Sequence, residues 1–425
     1  MIVALQPSSL KGSILAPRSK SDMQRACAAA LLHKGTTHIH HPGRSNDDCA
    51  AMDVIQKLGA RLFDEGNLIR IESHGVAPTS DQIHCGESGL GIRMFTPIAA
   101  TSNRRLLISG TGSLVTRPMN FFDDILPQVG VRIQSQDGRL PLDIHGPLTP
   151  ANIQVDGSLS SQFLTGLLFA YSASGASDRY IDVIDLKSKP YIDLTLQVMK
   201  KFGMKVPHVD RYERFYFDKL PVDPPPSWID YSIEGDWSGA AFLFVAGALA
   251  GPIHIQGMQT DSVQADKKIL EAIRDAGAIV SFENDGYTVA PAALQAFEFD
   301  ATECPDLFPP LVALAACCKG ITRIIGAERL THKESNRALT LQQEFGKMGV
   351  QIELNGNVMN VIGASSIQAA ELYSHHDHRI AMACAVAALC AEGQCTITGA
   401  EAIGKSYPDF YQHLQQLGAT IVQTN

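Results

Sequence analysis

One local pattern recurs along the whole chain: an amphipathic segment ends at a glycine, and a short apolar segment follows. Glycine has no side chain to clash in the left-handed conformation, so it commonly ends a helix. The pattern therefore predicts a helix that stops and turns into a strand, six times over. The six glycines are 69 to 74 residues apart and are Gly59, Gly130, Gly203, Gly277, Gly349 and Gly418.

A second series of segments runs in phase with the first. Six apolar helices are predicted, and several are apolar on nearly every side, which is typical of buried helices. A unit of two helices plus strands cannot bury such a helix alone, so we expect the units to pack three around each of two cores. The predicted helices begin near Ser21, Gly89, Ser161, Asp236, Asp306 and Asp377.

These two series predict an α/β fold of six internal repeats in two similar lobes. We place the first lobe at residues 13–233 and the second lobe at residues 1–12 and 234–425, with three repeats in each. A proline-rich stretch at 221–227 precedes the fourth repeat and indicates a surface loop near the boundary.

Composition narrows the class of protein. Of the 425 residues, 45% are hydrophobic and 19% charged, as in soluble globular enzymes. The nine cysteines are scattered without a CxxC pair, which favours a reduced cytoplasm over a disulfide framework. We expect no secretory signal and no membrane span, because no run of about 18 apolar residues occurs. The formal net charge of −9 argues against a nucleic-acid partner.

Basic and hydroxyl side chains are concentrated at the predicted helix starts. Helix N-termini carry N–H groups without intrahelical partners and a partial positive charge, so Lys, Arg and Ser there form sites for anions. A Ser or Asp at any one helix start is more often only a cap, so the interpretation depends on the recurrence. The residues at or near the predicted helix starts, with the polar and glycine positions among them, are Lys20, Ser21, Arg25, Gly89, Arg93, Arg117, Ser160, Ser161, Gln162, Ser188, Asp306, Lys333, Arg337, Asp377, His378, Arg379 and Lys405.

In six strings, the chain resembles the 3-phosphoshikimate 1-carboxyvinyltransferase family, also called EPSP synthases. The strings follow the family's order and are PRSKSDMQR, DGSLSSQFLTGLL, SKPYIDLT, HKESNR, DHRIAMA and KSYPDFY. The resemblance implies two lobes, each of three βαβαββ units, sometimes called an inside-out α/β barrel. It implies transfer of the enolpyruvyl group of phosphoenolpyruvate to the 5-hydroxyl of shikimate 3-phosphate, with release of phosphate, in the pathway to chorismate and aromatic amino acids. We expect a cytoplasmic monomer with these two small-molecule substrates and no metal or cofactor.

The resemblance also assigns roles to residues. Asp306 matches the family's proton acceptor and Glu334 its proton donor, and Lys20 is expected to act with them. The shikimate 3-phosphate site is expected to comprise Lys20, Ser21, Arg25, Ser160, Ser161, Gln162, Ser188 and Lys333. The phosphoenolpyruvate site is expected to comprise Gly89, Arg117, Arg337, Arg379 and Lys405, with Lys20 and Gln162 shared.

Chemistry independently favours these residue types. Arginine presents a forked set of donors that matches carboxylate and phosphate groups. The reaction needs one acid and one base, and two carboxylates in unlike surroundings divide those tasks. Without the resemblance, Asp306 reads equally well as a helix cap, and Glu334 as a first-turn carboxylate that complements the helix dipole.

Three positions depart from the family pattern. Leu90 stands where the family often has threonine after the glycine, so a hydroxyl is lost. Arg329 stands where well-known members have an asparagine that touches the shikimate ligand. Asn336 stands where many members have aspartate, which removes a charge beside Arg337.

Three alternative functions fit the sequence less well. The UDP-N-acetylglucosamine enolpyruvyl transferase resembles a variant of this family with a reactive cysteine, but Gly112 occupies that position, and Cys85 is interpreted as a buried structural thiol. A metal hydrolase would use the SHHDHR string, in which His375 and His378 are one helical turn apart. A non-catalytic anion-binding module would have no need for both Asp306 and Glu334.

Overall fold

The computed structural model describes residues 1–220, 226–331 and 333–424. Contacts within the chain divide it into two compact units. The first unit is Lys20–Ile233, and the second is Met1–Ser19 together with Glu234–Asn425. Most of the predicted loop at 221–227 and the first residue of the HKESNR string lie outside the described residues.

The described residues form helices and short strands in alternation. The α-helices are α1 (Lys20–Leu32), α2 (Asn46–Lys57), α3 (Gly89–Ala99), α4 (Asn120–Ile125), α5 (Ser161–Ala173), α6 (Lys189–Lys201), α7 (Trp237–Ala250), α8 (Ile269–Asp275), α9 (Phe308–Ala316), α10 (Arg337–Lys347), α11 (His378–Ala388) and α12 (Phe410–Gln416). Short 3-10 helices include Pro305–Leu307 and Ala400–Lys405.

The strands are short, with three to six residues each. They are β1 (Ile2–Leu5), β2 (Gly12–Leu15), β3 (Gly35–His40), β4 (Arg61–Asp64), β5 (Leu68–Ser73), β6 (Gln82–His84), β7 (Arg105–Ser109), β8 (Arg132–Gln134), β9 (Leu142–His145), β10 (Ile153–Asp156), β11 (Arg179–Ile184), β12 (His208–Asp210), β13 (Arg214–Phe217), β14 (Trp228–Ser232), β15 (Ile253–Gln256), β16 (Ile279–Glu283), β17 (Gly286–Ala290), β18 (Glu298–Asp300), β19 (Ile321–Ile325), β20 (Gln351–Asn355), β21 (Val358–Ile362), β22 (Glu371–Tyr373), β23 (Cys395–Thr398) and β24 (Ile421–Thr424).

The strands form six open four-stranded sheets that share one pattern. In the orders given below, the first two strands of each sheet are parallel, and the second and third strands, like the third and fourth, are antiparallel. In each unit there are three such sheets. The first unit has the orders β14-β3-β5-β4, β6-β7-β9-β8 and β10-β11-β13-β12, and the second has β2-β15-β17-β16, β18-β19-β21-β20 and β22-β23-β1-β24. The repeated topology confirms the prediction of six α/β repeats.

The backbone conformation at the helix ends explains why the spacing of glycines predicted the repeat. All six repeat glycines adopt the left-handed conformation, with φ between 63° and 112°. A side chain at such a position would meet steric strain, so glycine is the residue that lets the helix end and the next strand begin.

The apolar helices are buried as predicted. Every residue of α3 and of α9 is buried, and so is every residue of α7 except Leu249. Burial alternates along β5, so one face of its sheet is turned toward the interior. Among the described residues, no helix has the length and apolar character needed to cross a membrane.

The boundary between the units differs from the predicted one. Residues 13–19 were assigned to the first lobe, but they belong to the second unit. The reason is β2, which pairs in parallel with β15, with Ser13 opposite His254. The first unit therefore begins at Lys20, where α1 begins.

Candidate active site

Arg337, the first residue of α10, is the centre of a charged cluster in the second unit. Its side chain is only 1% exposed, and its Nη1 donates to Asp306 Oδ1 at 2.7 Å. Its Nη2 donates to Glu334 Oε2 at 2.6 Å, and its Nε donates to Asp377 Oδ2 at 2.8 Å. Burial alone would lower the pKa of Arg337, but the three carboxylates raise it above its usual value.

Arg379, in the first turn of α11, also reaches Asp306. Its Nη2 lies 3.2 Å from Asp306 Oδ2 and donates to Ser238 Oγ at 2.7 Å. Asp377 caps α11 by accepting the Arg379 N–H at 2.9 Å. Ser238 lies in the first turn of α7, and Asp306 lies in the 3-10 turn just before α9. Direct contacts thus join the starts of four helices.

Asp306 faces three cations. Burial would raise the pKa of its carboxyl, but Arg379, Lys333 and Arg337 outweigh burial and hold this pKa well below its usual value. Lys333 Nζ lies 3.3 Å from Asp306 Oδ1. Burial lowers the pKa of Lys333 to about 8, although Asp306 opposes the shift. At neutral pH, Asp306 is therefore ionised and Lys333 is close to its titration range.

Lys405 ends the 3-10 helix Ala400–Lys405 and is buried. Its Nζ donates to the main-chain carbonyl of His376 at 2.7 Å. His376 immediately precedes Asp377, so this contact holds the ammonium group beside the start of α11.

Arg25 is the most deeply buried cation of the first unit, with 1% exposure. Its Nε donates to Thr195 Oγ1 at 2.9 Å, and its Nη1 and Nη2 donate to the carbonyls of Ser21 at 2.7 Å and Tyr191 at 3.2 Å. These acceptors are uncharged. Burial lowers the pKa of Arg25 to about 10, against the opposing effect of nearby Tyr191 and Asp22.

The starts of α3 and α5 also meet in the first unit. Arg93 Nη1 donates to Gln162 Oε1 at 3.0 Å, and Ser160 caps α5 by accepting the Gln162 N–H at 3.2 Å. A Cβ atom added at Gly89 would come within 2.5 Å of Arg117 Nη1, so a larger residue at this helix start requires the guanidinium to move.

Three further predicted residues also lie at helix starts. Lys20 begins α1, and its Nζ lies 3.0 Å from Asp47 Oδ2. Ser161 is the first residue of α5 and is buried. Ser188 is the N-cap of α6 and adopts the left-handed conformation, with φ 55°. Each unit therefore gathers its own predicted residues at helix starts.

Four residues with direct roles in these clusters were absent from the predicted site. They are Asp47, Arg93, Ser238 and Asp377. Arg93 and Asp377 lie at predicted helix starts, and Asp236, two residues before Ser238, is predicted to begin another helix. Asp47 follows the capping Ser45 of α2, and only the tertiary pairing with Lys20 distinguishes it from an ordinary first-turn carboxylate.

The SHHDHR segment is engaged in hydrogen bonds of other kinds. His375 Nε2 contacts Glu344 Oε1 at 2.8 Å, and His376 Nε2 contacts the Tyr373 hydroxyl at 2.7 Å. Within residues 1–220, 226–331 and 333–424, no group of three or more His, Cys, Asp or Glu side chains is placed to hold a metal ion.

Gly112 and Cys85 are the positions that bear on the alternative with a reactive cysteine. A Cβ at Gly112 would come within 2.0 Å of Glu87 Oε2, so a cysteine there requires the Glu87 side chain to move. Cys85 is buried, and burial raises the pKa of its thiol to about 12, which makes it a poor nucleophile.

The three departures from the family pattern also have structural roles. Leu90 is buried in the first turn of α3. Arg329 Nη1 donates to the carbonyl of Thr302 at 2.6 Å. Asn336 caps α10 by accepting the Leu339 N–H at 3.4 Å, a task that aspartate performs equally well.

Comparisons with known proteins agree with one another. The family model for EPSP synthase (3-phosphoshikimate 1-carboxyvinyltransferase) matches residues 5–414. A Clostridium kluyveri protein named 3-phosphoshikimate 1-carboxyvinyltransferase is 34% identical over 99% of this chain and 98% of its own length. An Aeropyrum pernix protein of the same name is 33% identical over 99% of this chain and 96% of its own length.

A solved structure of EPSP synthase from Acinetobacter baumannii has the same fold. Its TM-score is 0.82 at 23% identity, over 99% of this chain and all of that one. The match of the family model to almost the entire sequence, together with relatives above 30% identity over nearly full length, establishes that the chain belongs to the EPSP synthase (3-phosphoshikimate 1-carboxyvinyltransferase) family.

Proposed function

We propose that this enzyme transfers the enolpyruvyl group of phosphoenolpyruvate to the 5-hydroxyl of shikimate 3-phosphate and releases inorganic phosphate. Membership of the family over the whole chain supports the reaction class. The observation that carries the proposal is the cluster around Arg337, in which two carboxylates suited to acid–base work, Asp306 and Glu334, contact one buried guanidinium.

The chemistry has two steps. In the first, the 5-oxygen of shikimate 3-phosphate bonds to C2 of phosphoenolpyruvate, the hydroxyl proton passes to a base, and C3 gains a proton. In the second, the bond between C2 and the phosphate oxygen breaks, C3 loses a proton and the double bond re-forms. We assign the base to Asp306 and the acid to Glu334.

The low pKa of Asp306 suggests how its basicity is controlled. With three cations around it, the carboxylate is a weak base. Phosphoenolpyruvate brings a phosphate and a carboxylate, and these anions share the positive charge of Arg337 and Arg379 when they bind. The pKa of Asp306 then rises toward the range in which a base accepts a proton efficiently. Substrate binding thus prepares the base.

We divide the binding roles according to the resemblance. Shikimate 3-phosphate contacts basic and hydroxyl groups at the helix starts, and phosphoenolpyruvate contacts arginine forks and lysines that also neutralise charge on the bridging oxygen. The residues proposed for the first substrate are Lys20, Ser21, Arg25, Ser160, Ser161, Gln162, Ser188 and Lys333. Those proposed for the second are Lys20, Gly89, Arg117, Gln162, Arg337, Arg379 and Lys405.

The direct test is phosphate release by the purified protein with each substrate alone and with both together. Release is expected only when both are present. Release from phosphoenolpyruvate alone, or equal turnover with UDP-N-acetylglucosamine as acceptor, would refute the proposal.

We also propose that the enzyme acts as a cytoplasmic monomer and needs no metal ion or cofactor. Phosphate release should survive treatment with a chelator followed by dialysis, and light scattering should give the mass of one chain. Activity that is lost on chelation and restored by a divalent ion would contradict the metal-free mechanism.

A further inference from the structure

Glu344 is a fully buried carboxylate on the last turns of α10, outside the residues assigned to substrate. Its Oε1 accepts from His375 Nε2 at 2.8 Å, and its Oε2 accepts the Tyr373 N–H at 2.9 Å. Lys347 Nζ donates to both oxygens, at 2.9 and 2.7 Å. Burying a charge is costly unless its partners compensate, so Glu344 is held by donors from its own helix and from the loop before α11.

The loop that Glu344 holds has an unfavourable backbone. His375 and His376 both adopt the left-handed conformation, with φ 54° and 55°. For residues other than glycine this costs about 1–3 kcal/mol each, and it persists only where surrounding contacts fix it. The fixing contacts are the two bonds to Glu344, the bond between the His376 N–H and Ser374 Oγ at 3.1 Å, and the bond between His376 and the Tyr373 hydroxyl.

The turn at His375–His376 places two groups beside the charged cluster. The carbonyl of His376 accepts from Lys405 Nζ at 2.7 Å. The next residue, Asp377, contacts Arg337 Nε at 2.8 Å. A change in the turn would therefore move both the acceptor of the Lys405 ammonium and the carboxylate that holds Arg337.

We propose that Glu344 and His375 are positioning residues, which set Lys405 and Asp377 for the reaction through the left-handed turn at His375–His376. The inference rests on the proposed function for the role of Lys405. Neither residue is assigned a substrate contact. They act because a transition state tolerates little displacement of the groups that bind it, and a shift of about 1 Å can cost about 10²-fold in rate.

The kinetic test compares Glu344→Gln and His375→Asn with Lys347→Gln. Asparagine tolerates the left-handed backbone but is too short to reach Glu344. Lys347 contacts the same carboxylate and makes no described hydrogen bond to the loop, so its variant is the matched control. We expect kcat to fall by about 10- to 100-fold in the first two variants, with KM nearly unchanged, and to stay near the wild-type value in the control.

A double-mutant cycle distinguishes positioning from a general loss of stability. Because His375 acts in part through Lys405, adding His375→Asn to Lys405→Met should lower kcat by a clearly smaller factor than adding it to the wild type. A full, independent loss in that background would overturn the inference, as would near-normal kcat in both single variants.

Hydrogen exchange provides a readout that does not depend on activity. The Ser374 and Asp377 amides donate to the carbonyls of Thr398 and Ser374. Both should exchange faster in Glu344→Gln than in Lys347→Gln. Equal exchange in the two variants would contradict the positioning role. Absence of phosphate release from the wild type would instead refute the proposed function, while the exchange measurement still decides whether Glu344 holds the turn.

Discussion

The two units repeat one fold, yet they hold their buried arginines in opposite ways. In the first unit, Arg25 donates to a hydroxyl and two carbonyls, and burial lowers its pKa to about 10. In the second unit, Arg337 contacts three carboxylates, and its pKa is raised despite burial. A cation with neutral partners is ready to gain stability from an anionic ligand. A cation saturated by carboxylates can instead control their proton affinity. Similar scaffolds thus surround one buried arginine with neutral acceptors and the other with carboxylates.

Asp48 and Asp306 give the same comparison for carboxyl groups. Asp48 is buried in the first unit, and burial raises its pKa to about 7 although Ser45 donates two hydrogen bonds to it. Asp306 in the second unit has a pKa well below the usual value, because three cations outweigh burial. Neighbouring charge, rather than burial alone, decides the direction of the shift.

The largest effect is expected from removing the charge of the acid–base pair. Asp306→Asn and Glu334→Gln should lower kcat by about 10²-fold or more, because each keeps its shape and loses a titrating group. Steady-state kinetics should find substrate affinity little changed. A variant with near-normal turnover would mean that its residue serves only as a structural partner of Arg337.

A smaller effect, on stability, tests the contrast between the arginines. Arg337→Met should destabilise the protein by about 3–5 kcal/mol, since it leaves three carboxylates without their shared cation. Arg25→Met should cost less, about 1–3 kcal/mol, because it strands only neutral acceptors. Urea unfolding measures both. Equal losses of stability in the two variants would contradict the proposed difference between the two arginines.

The last prediction concerns the pH dependence of stability. Because the folded-state pKa of Asp48 is raised, its native carboxyl keeps a proton that the unfolded chain releases near pH 4. Stability should therefore fall as pH rises from about 4 to 7, by up to about 4 kcal/mol. Asp48→Asn should remove most of this fall.

The comparison for this prediction is the slope of unfolding free energy between pH 5 and 8 in the two proteins. The contribution of Asp306 to stability changes with pH in the opposite direction. Its contribution is present above pH 4 and lost only as pH falls through its lower folded-state pKa, so it leaves this window flat. Parallel slopes for wild type and Asp48→Asn would show that Asp48 does not titrate there.

Much of the fold followed from local sequence. The repeat glycines and apolar helices act through backbone conformation and burial, which neighbouring residues determine, and the structure confirms the six repeats. The start of the first lobe was harder to predict from the sequence, because the pairing of β2 with β15 joins segments about 240 residues apart.

The partners of the site residues were the least predictable part. Lys20 pairs with Asp47 across 27 residues, and Arg337 pairs with Asp377 across 40. Such pairs depend on how one repeat packs on the next, which no local pattern records. The resemblance supplied candidate residues for the site, including Asp306 and Glu334, but it did not supply Asp47, which contacts Lys20, or the turn at His375.

The position of β1 has a consequence for how the protein is made. This strand lies between β23 and β24, so residues at the start of the chain pair with residues at its very end. On a ribosome that adds about 5–20 residues per second, the β1 segment waits roughly 20–80 s for these partners. Lys20–Ile233 contains all strands of its own three sheets and has no such wait. The nascent enzyme should therefore complete its inserted unit first, and β1 should find its partners only after residues 395–398 and 421–424 have been made.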